Sequence, residues 1–284
     1  MLRRGIKHLS RVNDVLFRRL RIERDITIFP DDTFLTSYPR SGNTWMRFLV
    51  ANLAYPEPVT FLNLEELVPD MYVHSDREMR TGKRPRIMKS HECFDPRYKK
   101  VVYLVRDPRD VAVSNYHWEL KKGSFRDEFP LQEFVARWMD GYYWPRIGNW
   151  ADHVTSWVST RRDYEGFLLV RYEDVIANTE RELERLARFL AIEGTPEKLR
   201  RAAELSSAER MRRLESSEGG QWLQTRNTKQ DKPFVRGAST GEWSKVLPAE
   251  SVGLIEGAWG KVMESLGYER SGRFIASTVT AVER

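Results

Sequence analysis

The sequence lacks the features of disulfide-rich, membrane-spanning and repetitive proteins. It holds one cysteine, Cys93, which excludes an intramolecular disulfide and points to a reducing compartment such as the cytoplasm. No stretch approaches the roughly 20 apolar residues of a membrane-spanning helix, and internal repeats and low-complexity tracts are lacking. With 284 residues, 40% hydrophobic and 31% charged, the chain is expected to bury a sizeable core.

Positive charge is concentrated at the amino terminus. The net charge is +6, but residues 1–24 hold eight of the 47 Lys and Arg residues and only two of the 41 Asp and Glu residues, which leaves 39 of each sign in residues 25–284. A neutral body with no recognisable module argues against a nucleic-acid-binding protein, which the isoelectric point alone would favour.

Residues 1–24 have the pattern of a cationic amphipathic helix. Their longest apolar run is three residues, which excludes a signal peptide. Such a helix either lies on an anionic membrane or an acidic partner, or packs on the body with its charged face in water. We interpret residues 25–284, which show no linker, as a single domain. In the helix predicted for residues 1–24, the apolar stripe consists of Leu2, Ile6, Leu9, Val12, Leu16 and Leu20, and the opposing basic face consists of Arg4, Lys7, Arg11 and Arg18.

Short apolar segments alternate with helical patterns along the body. This alternation predicts an α/β fold, with a central parallel sheet flanked by helices. Asp107 suits a helix N-cap and Pro108 the first helical position. The predicted strands are residues 33–38, 86–90, 101–106 and 167–172, and the predicted helices are 44–54, 111–120 and 179–191.

The first predicted strand-to-helix turn, residues 38–45, has the composition of a phosphate site. Free N–H groups and the helix dipole favour an anion there. Gly42 permits close backbone approach, Arg40 adds charge, and Ser41 and Thr44 add hydroxyl donors. The glycine spacing and the lysine of a Walker A loop are both missing.

Two further segments place arginines where an anion could bind. Arg106 ends a predicted strand, and Ser114 lies two turns into the following helix. Arg236 lies in residues 234–243, after a polar stretch from 215 to 232, in a segment that could close over a ligand.

Together these segments resemble the cytosolic-type sulfotransferases, which transfer a sulfuryl group from 3′-phosphoadenosine-5′-phosphosulfate (PAPS) to a hydroxyl or an amine. The resemblance implies the sulfotransferase fold with a P-loop-like phosphosulfate-binding loop, PAPS as co-substrate, 3′,5′-ADP as product, and no metal. The matches occur in family order. Residues 38–45, Tyr-Pro-Arg-Ser-Gly-Asn-Thr-Trp, match the family's Tyr-Pro-Lys-Ser-Gly-Thr-Thr-Trp; 89–91, Lys-Ser-His, match its Lys-Thr-His; 110–114 match Asp-Val-Ala-Val-Ser; 172–174 match Tyr-Glu-Asp; and 236–243, Arg-Gly-Ala-Ser-Thr-Gly-Glu-Trp, match its Arg-Lys-Gly-x-x-Gly-Asp-Trp.

The resemblance also implies roles for the matched residues. In-line sulfuryl transfer depends mainly on positioning and charge stabilisation. Arg40 and Lys89 would face the oxygen on which negative charge develops, and His91 would accept the proton of the acceptor. PAPS would be held by Arg40, Ser41, Gly42, Asn43, Thr44 and Trp45 at the 5′-phosphate and adenine side, by Arg106, Ser114, Arg236, Gly237 and Ala238 at the 3′-phosphate, and by Tyr172 and Ser207 at adenine and ribose.

The sequence departs from the family pattern at three places. Arg40 replaces the loop lysine, and its permanent charge suits it to electrostatic stabilisation but not to proton donation. Gly237 and Ala238 replace Lys-Gly, which removes one charge from the 3′-phosphate site. The family's dimerisation segment is not recognisable in residues 244–248, so the oligomeric state is left open.

The aromatic residues between positions 116 and 157 bear on the identity of the acceptor. Residues 116–157 hold eleven of the 33 aromatic residues, and their side chains could either wall an acceptor pocket or pack in the core. A small molecule, a sugar or a lipid would each fit, and the cationic arm favours a membrane-associated acceptor such as a glycolipid. The remaining histidines lack metal-ligand spacing and are given no role: His8, His74, His117 and His153.

Two other functions compete with sulfuryl transfer. One is a catalytically silent nucleotide-binding or membrane-adaptor protein of the same fold, against which Lys89 and His91 argue. The other is a P-loop-type kinase, which would need a Walker A lysine and an acidic Mg²⁺ ligand that the sequence does not show.

Overall fold

Four parallel strands form the centre of the structure, a computed structural model that describes residues 26–271. The strands lie in the order β2-β1-β3-β4, with Thr33 opposite both Ile87 and Lys100, and Val101 opposite Phe167. This confirms the predicted parallel sheet. The strands are β1 (Thr33–Ser37), β2 (Ile87–Ser90), β3 (Lys100–Val105) and β4 (Phe167–Arg171).

Helices cover both faces of the sheet. None of those within residues 26–271 is long and apolar enough to cross a membrane. The amphipathic helix predicted for residues 1–24 lies outside the described residues. The helices are α1 (Asn43–Ala54), α2 (Leu64–Leu67), α3 (Asp76–Thr81), α4 (Pro108–Lys122), α5 (Leu131–Met139), α6 (Trp150–Arg161), α7 (Tyr172–Ala177), α8 (Thr179–Leu190), α9 (Pro196–Leu205), α10 (Ala208–Glu218), α11 (Trp243–Val246) and α12 (Ala249–Ser265).

Local signals explain where helix α4 begins and ends. The Asp107 carboxylate accepts a hydrogen bond from the Arg109 backbone N–H at 2.9 Å, and Pro108 occupies the first turn, as predicted. Gly123 terminates the helix with a positive φ of 74°. The predicted start of this helix is therefore confirmed, and its end lies two residues beyond the predicted one.

Alternate residues of the strands sort into two hydrophobic cores. Phe34 and Tyr103 point into the core under α4, α5, α6 and α12, whereas Leu35 and Leu104 point into the core under α1, α8 and α9. Every residue of β1 is buried, including Thr33, Thr36 and Ser37, because both faces of the parallel sheet are covered.

The carboxyl ends of the strands meet at one edge of the sheet. There β1 leads into the loop at Arg40, β2 into His91, β3 into Arg106 and β4 into Tyr172. Ligands of open parallel sheets bind at this edge.

Candidate active site

A cavity of about 580 Å³ lies at the carboxyl edge of the sheet. It is lined by every residue predicted to bind PAPS or to act in catalysis, with one exception. The exception is Ser41, whose hydroxyl is buried with no hydrogen-bond partner in the described part of the chain. The Ser41 N–H donates to the Tyr38 carbonyl at 3.3 Å, and the role predicted for Ser41 at the 5′-phosphate stays a prediction.

The loop before α1, residues 38–42, presents an uncapped helix N-terminus to the cavity. Gly42 precedes α1 with a φ of 101°, and it offers no side chain to cap the first N–H groups. A Cβ at Gly42 would lie 2.6 Å from the Tyr172 ring, so only glycine fits. Thr44 and Asn43 both line the cavity. The Asn43 amide also donates to the Leu35 carbonyl at 2.9 Å, which holds the loop on β1.

Three arginines and a serine form what we call the anion end of the cavity: Arg40, Arg106, Arg236 and Ser114. Arg40 Nε donates to Ser114 Oγ at 3.3 Å. Arg236 donates to the carbonyl of Val113, the residue before Ser114 on α4, at 3.5 Å, and it pairs with Glu242. Arg106 donates to the Ser239 carbonyl at 3.1 Å. The structure thus brings together the residues predicted for the 3′-phosphate and adds Arg40 to them.

Arg40 is held in an unusual environment. Its backbone is left-handed, with a φ of 70°, and its guanidinium stacks on the Trp118 ring at 5.0 Å and the Phe234 ring at 4.7 Å. Burial first, and then repulsion from Arg236 and Arg106, lower the pKa of Arg40 to about 9. The group is still charged at pH 7, and a ligand bearing several negative charges would relieve the repulsion.

The segment 236–243 lies closed over the anion end. The Asp110 carboxylate accepts the N–H groups of Gly241 and Trp243 at 2.8 and 2.9 Å, and the Arg109 guanidinium stacks on the Trp243 ring at 3.8 Å. Arg212, on α10, donates to the Arg236 carbonyl at 2.7 Å. Sequence reasoning gave neither Asp110 nor Arg212 a role in holding this segment.

His91 and Lys89 belong to what we call the catalytic end of the cavity, with Asp70 and Tyr72. His91 Nδ1 lies 2.6 Å from the Ser37 carbonyl oxygen. Because a carbonyl only accepts, Nδ1 carries the proton and Nε2 keeps its lone pair. Burial, followed by the charge of Lys89, lowers the pKa of His91 to about 3, so the ring is neutral near pH 7.

Two side chains hold His91 from either side. The Tyr72 ring stacks on the imidazole at 6.0 Å, and its hydroxyl accepts the His91 backbone N–H at 2.8 Å. Buried His153 lies 3.1 Å, through Nε2, from the His91 carbonyl, and its Nδ1 lies 2.8 Å from the Tyr103 hydroxyl. Because the His91 carbonyl can only accept, His153 Nε2 must donate to it, and His153 Nδ1 accepts from the Tyr103 hydroxyl. The sequence carried no signal for His153, a single histidine on an otherwise ordinary helix.

Lys89 is paired with a residue that sequence reasoning missed. Its Nζ donates to Asp70 Oδ2 at 2.7 Å, and the Gln224 amide donates to the same oxygen at 2.8 Å. Both Asp70 and Gln224 line the cavity. No motif marks either of them, because the contacts join segments 19 and 154 residues apart.

The predicted adenine and ribose contacts lie together at one wall. The Tyr172 ring packs edge-on against Trp45 at 5.4 Å. The Ser207 hydroxyl caps helix α10 by accepting the Arg210 N–H at 3.4 Å while its residue lines the cavity.

The tryptophans of residues 116–157 divide between the two alternatives. Trp118 and Trp144 line the cavity. Trp138, Trp150 and Trp157 are fully buried in the core beneath α4, α5, α6 and α12. Core packing therefore accounts for three of these five tryptophans, and an acceptor wall formed by the other two stays a prediction.

Comparison with known proteins gives consistent matches. A model of the sulfotransferase domain matches residues 30–267. Sulfotransferase 1B1 of Canis lupus familiaris is 31% identical, over 57% of this chain and 59% of its own length. The 3-beta-hydroxysteroid sulfotransferase of Cavia porcellus is 30% identical, over 79% of this chain and 81% of its own length.

Solved structures share the fold. Retinol dehydratase, in complex with androsterone and the inactive cofactor PAP, has a TM-score of 0.67 and 21% identity, over 88% of this chain and 85% of its own. A mouse sulfotransferase, SULT7A1, complexed with PAP, also has a TM-score of 0.67, with 20% identity, over 84% of this chain and 87% of its own.

Proposed function

This chain belongs to the sulfotransferase domain family, and we propose that it transfers a sulfuryl group from PAPS to the hydroxyl of a small-molecule acceptor. One observation carries the proposal. A neutral histidine with a free Nε2, His91, lines the same cavity as a cluster of three arginines and an uncapped helix N-terminus. A base and an anion site in one cavity suit group transfer from an anionic donor.

The anion end fits a nucleotide with two phosphate groups. Arg40, Arg106 and Arg236 crowd one volume, and their mutual repulsion is what a polyanion would offset. In our proposal Arg106, Ser114 and Arg236 hold the 3′-phosphate, with the backbone of residues 237–238. The first turn of α1 and the loop glycine hold the 5′-phosphate. PAPS supplies an activated sulfuryl group attached to that phosphate.

The adenine and ribose would lie against the wall formed by Trp45, Tyr172 and Ser207. Related proteins of known structure were solved with PAP, the desulfated form of this donor. We extend that ligand to this chain because the residues that match the family motifs line one cavity here.

His91 acts as the general base in our proposal. The Ser37 carbonyl fixes the Nδ1–H tautomer and leaves Nε2 to accept the proton of the acceptor hydroxyl. A pKa of about 3 keeps the ring unprotonated at neutral pH, although it also weakens the base in the resting enzyme. Arg40 and Lys89 stabilise the negative charge that develops as sulfur leaves the 5′-phosphate.

The acceptor would enter beside the catalytic end. Tyr72 offers an aromatic ring beside His91, and Trp144 and Trp118, the latter against Arg40, line the same cavity. This aromatic lining fits a small molecule with a flat apolar body and a reactive hydroxyl. The guinea pig relative is named for a hydroxysteroid. Membrane contact through residues 1–24, and with it a glycolipid acceptor, stays a prediction because those residues lie outside the described part.

Label transfer tests the proposal. The protein is incubated with PAPS labelled at sulfur and a panel of phenols, alcohols, sugars and lipid extracts, and binding of 3′,5′-ADP is measured by calorimetry. We expect transfer to at least one class of hydroxyl. Binding of 3′,5′-ADP without transfer would favour a catalytically silent nucleotide-binding protein, and transfer of phosphate from labelled ATP would favour a kinase. Failure of both transfer and 3′,5′-ADP binding would overturn the proposal.

A further inference from the structure

The ammonium group of Lys89 is fixed by a carboxylate before any ligand binds. We propose that Asp70 is a positioning residue, which holds Lys89 where it can stabilise the transferring group, and that Gln224 holds Asp70 in turn. This inference rests on the role given to Lys89 in the proposed function. It concerns two residues for which the motifs of the chain give no role.

Main-chain contacts fix Asp70 beside Lys89. Asp70 pairs with Lys89 as a parallel bridge at the edge of β2. The Lys89 N–H donates to the Pro69 carbonyl at 2.9 Å, and the Met71 N–H donates to the Lys89 carbonyl at 3.3 Å. The segment 69–71 therefore follows β2 in register, so the two side chains begin from fixed backbone positions.

The Asp70 carboxylate is itself fully occupied. Oδ1 accepts the Tyr72 N–H at 3.0 Å, and Oδ2 accepts both Lys89 Nζ at 2.7 Å and the Gln224 amide at 2.8 Å. Only 2% of Asp70 is exposed. A carboxylate with this many partners has one orientation, and its hydrogen bond therefore fixes the position of the Lys89 ammonium group.

A buried ion chain keeps Asp70 ionised. The Asp70 N–H donates to Glu65 Oε2 at 2.9 Å, and Glu65 pairs with buried Arg47 at 3.0 Å. Burial opposes ionisation, but Lys89 and Arg47 outweigh it and bring the pKa of Asp70 to about 2. Lys89 therefore faces a full negative charge throughout the neutral range.

A lysine needs such a restraint more than an arginine does. Its four-carbon stem has large rotamer freedom, and its ammonium is a point charge without a preferred plane. A displacement of about 1 Å at a reacting centre can cost on the order of 10²-fold in rate. Asp70 removes that freedom, at the cost of part of the local positive charge, and leaves the remaining ammonium protons to the ligand.

Through Gln224, a second segment of the chain also restrains the Asp70 carboxylate. Gln224 follows Trp222, which is buried and packs on Phe61 at a ring distance of 4.5 Å, so its backbone is anchored. The segment from Gln224 leads to the loop at Arg236. The position of Lys89 thus depends on contacts from two segments, at residues 70 and 224, that are far apart in the sequence.

A double-mutant cycle tests the proposal. The variants are Lys89→Met, Asp70→Asn and their combination, with kcat, KM and the Kd for 3′,5′-ADP measured for each. We expect Lys89→Met to lower kcat about 10²-fold and Asp70→Asn about tenfold, since the ammonium stays in the cavity but loses its fixed position. The Kd should change less than about twofold. In the Lys89→Met background, Asp70→Asn should lower kcat no further.

Two variants control for a purely structural effect. Asp32→Asn breaks another buried pair, Asp32 with Arg86, away from the cavity, and it should lower Tm without changing kcat. Gln224→Leu removes one donor without burying a charge, and it should lower kcat about threefold if Gln224 orients Asp70.

Each failure has a distinct meaning. An unchanged kcat in Lys89→Met would remove Lys89 from the proposed function. A large loss in Lys89→Met with none in Asp70→Asn or Gln224→Leu would overturn the positioning role alone. Additive losses in the double variant would do the same, because they would show that Asp70 acts independently of Lys89.

Discussion

The two ends of the cavity treat charge in opposite ways. At the catalytic end Lys89 is paired with Asp70, and His91 is neutral. At the anion end Arg236 pairs with Glu242 and Arg106 lies 3.9 Å from Asp110, but Arg40 has no ion pair with a carboxylate within residues 26–271. Positive charge is therefore in surplus at one end and balanced at the other.

The difference follows from what each end would receive. A phosphate group brings its own counter-charge, so the unpaired charge of Arg40 is offset when the ligand binds. A hydroxyl brings none, so the groups that handle it must be neutral or already paired. Variants that act on one end and spare the other test this division.

The largest effect is expected from His91→Ala at the catalytic end. Loss of the base should lower kcat about 10²–10⁴-fold, while the anion end keeps its affinity. Turnover with labelled PAPS and calorimetry with 3′,5′-ADP measure the two separately. A parallel loss of 3′,5′-ADP binding would contradict the division and make His91 a structural residue.

The reverse pattern is expected from Gly42→Ala. A methyl group there meets the Tyr172 ring at 2.6 Å on a backbone with a φ of 101°. Overpacking and left-handed strain together cost about 2–3 kcal/mol, which corresponds to a loss of 3′,5′-ADP affinity of about 30–160-fold if the loop must give up its phosphate-binding conformation. The matched control is Gly257→Ala on α12, where a Cβ meets nothing within 4 Å. Equal affinity in both variants would show that the loop does not hold phosphate.

Stability should depend on pH through the catalytic end. The pKa values of His91 and His153 are lowered to about 3 and about 4 by burial, which is supplemented at His91 by the charge of Lys89. Below an unfolded-state pKa near 6.5 the unfolded chain binds protons that the native state refuses, so stability falls as pH falls toward the folded values. Each histidine should cost about 1 kcal/mol between pH 6.5 and 5.5.

Urea unfolding at both pH values measures this loss. His153→Gln should reduce the difference by about 1 kcal/mol, because it removes one of the histidines whose pKa burial lowers, the others being His91 and His117. A pH dependence that the variant leaves unchanged would mean that His153 is protonated in the native state.

The smallest effect is expected from Ala238→Gly at the anion end. Ala238 has a φ of 48°, at the position where the family pattern has glycine. Relief of about 1 kcal/mol of strain is largely offset by the greater flexibility of glycine, so 3′,5′-ADP should bind about twofold more tightly. Ala191→Gly, at another left-handed position after α8, is the control and should leave binding unchanged. Weaker binding by Ala238→Gly would indicate that its methyl group is used.

Local signals in the sequence determined the sheet, its helices and most of the site. The turn at residues 38–45 and the cap at Asp107 depend on neighbours within a few residues, so their composition alone predicts them. Parallel strands then carry Arg40, His91, Arg106 and Tyr172 to one edge, which explains why so many predicted residues line one cavity.

Tertiary structure decided the contacts that join distant segments. Asp70 and Gln224 reach Lys89, and His153 reaches the His91 carbonyl, across separations of 19 to 154 residues. The burial of the Ser41 hydroxyl likewise depends on packing. Sequence fixes which groups can ionise or donate, but their partners, and hence their charge states, depend on which segments the fold brings within about 3 Å.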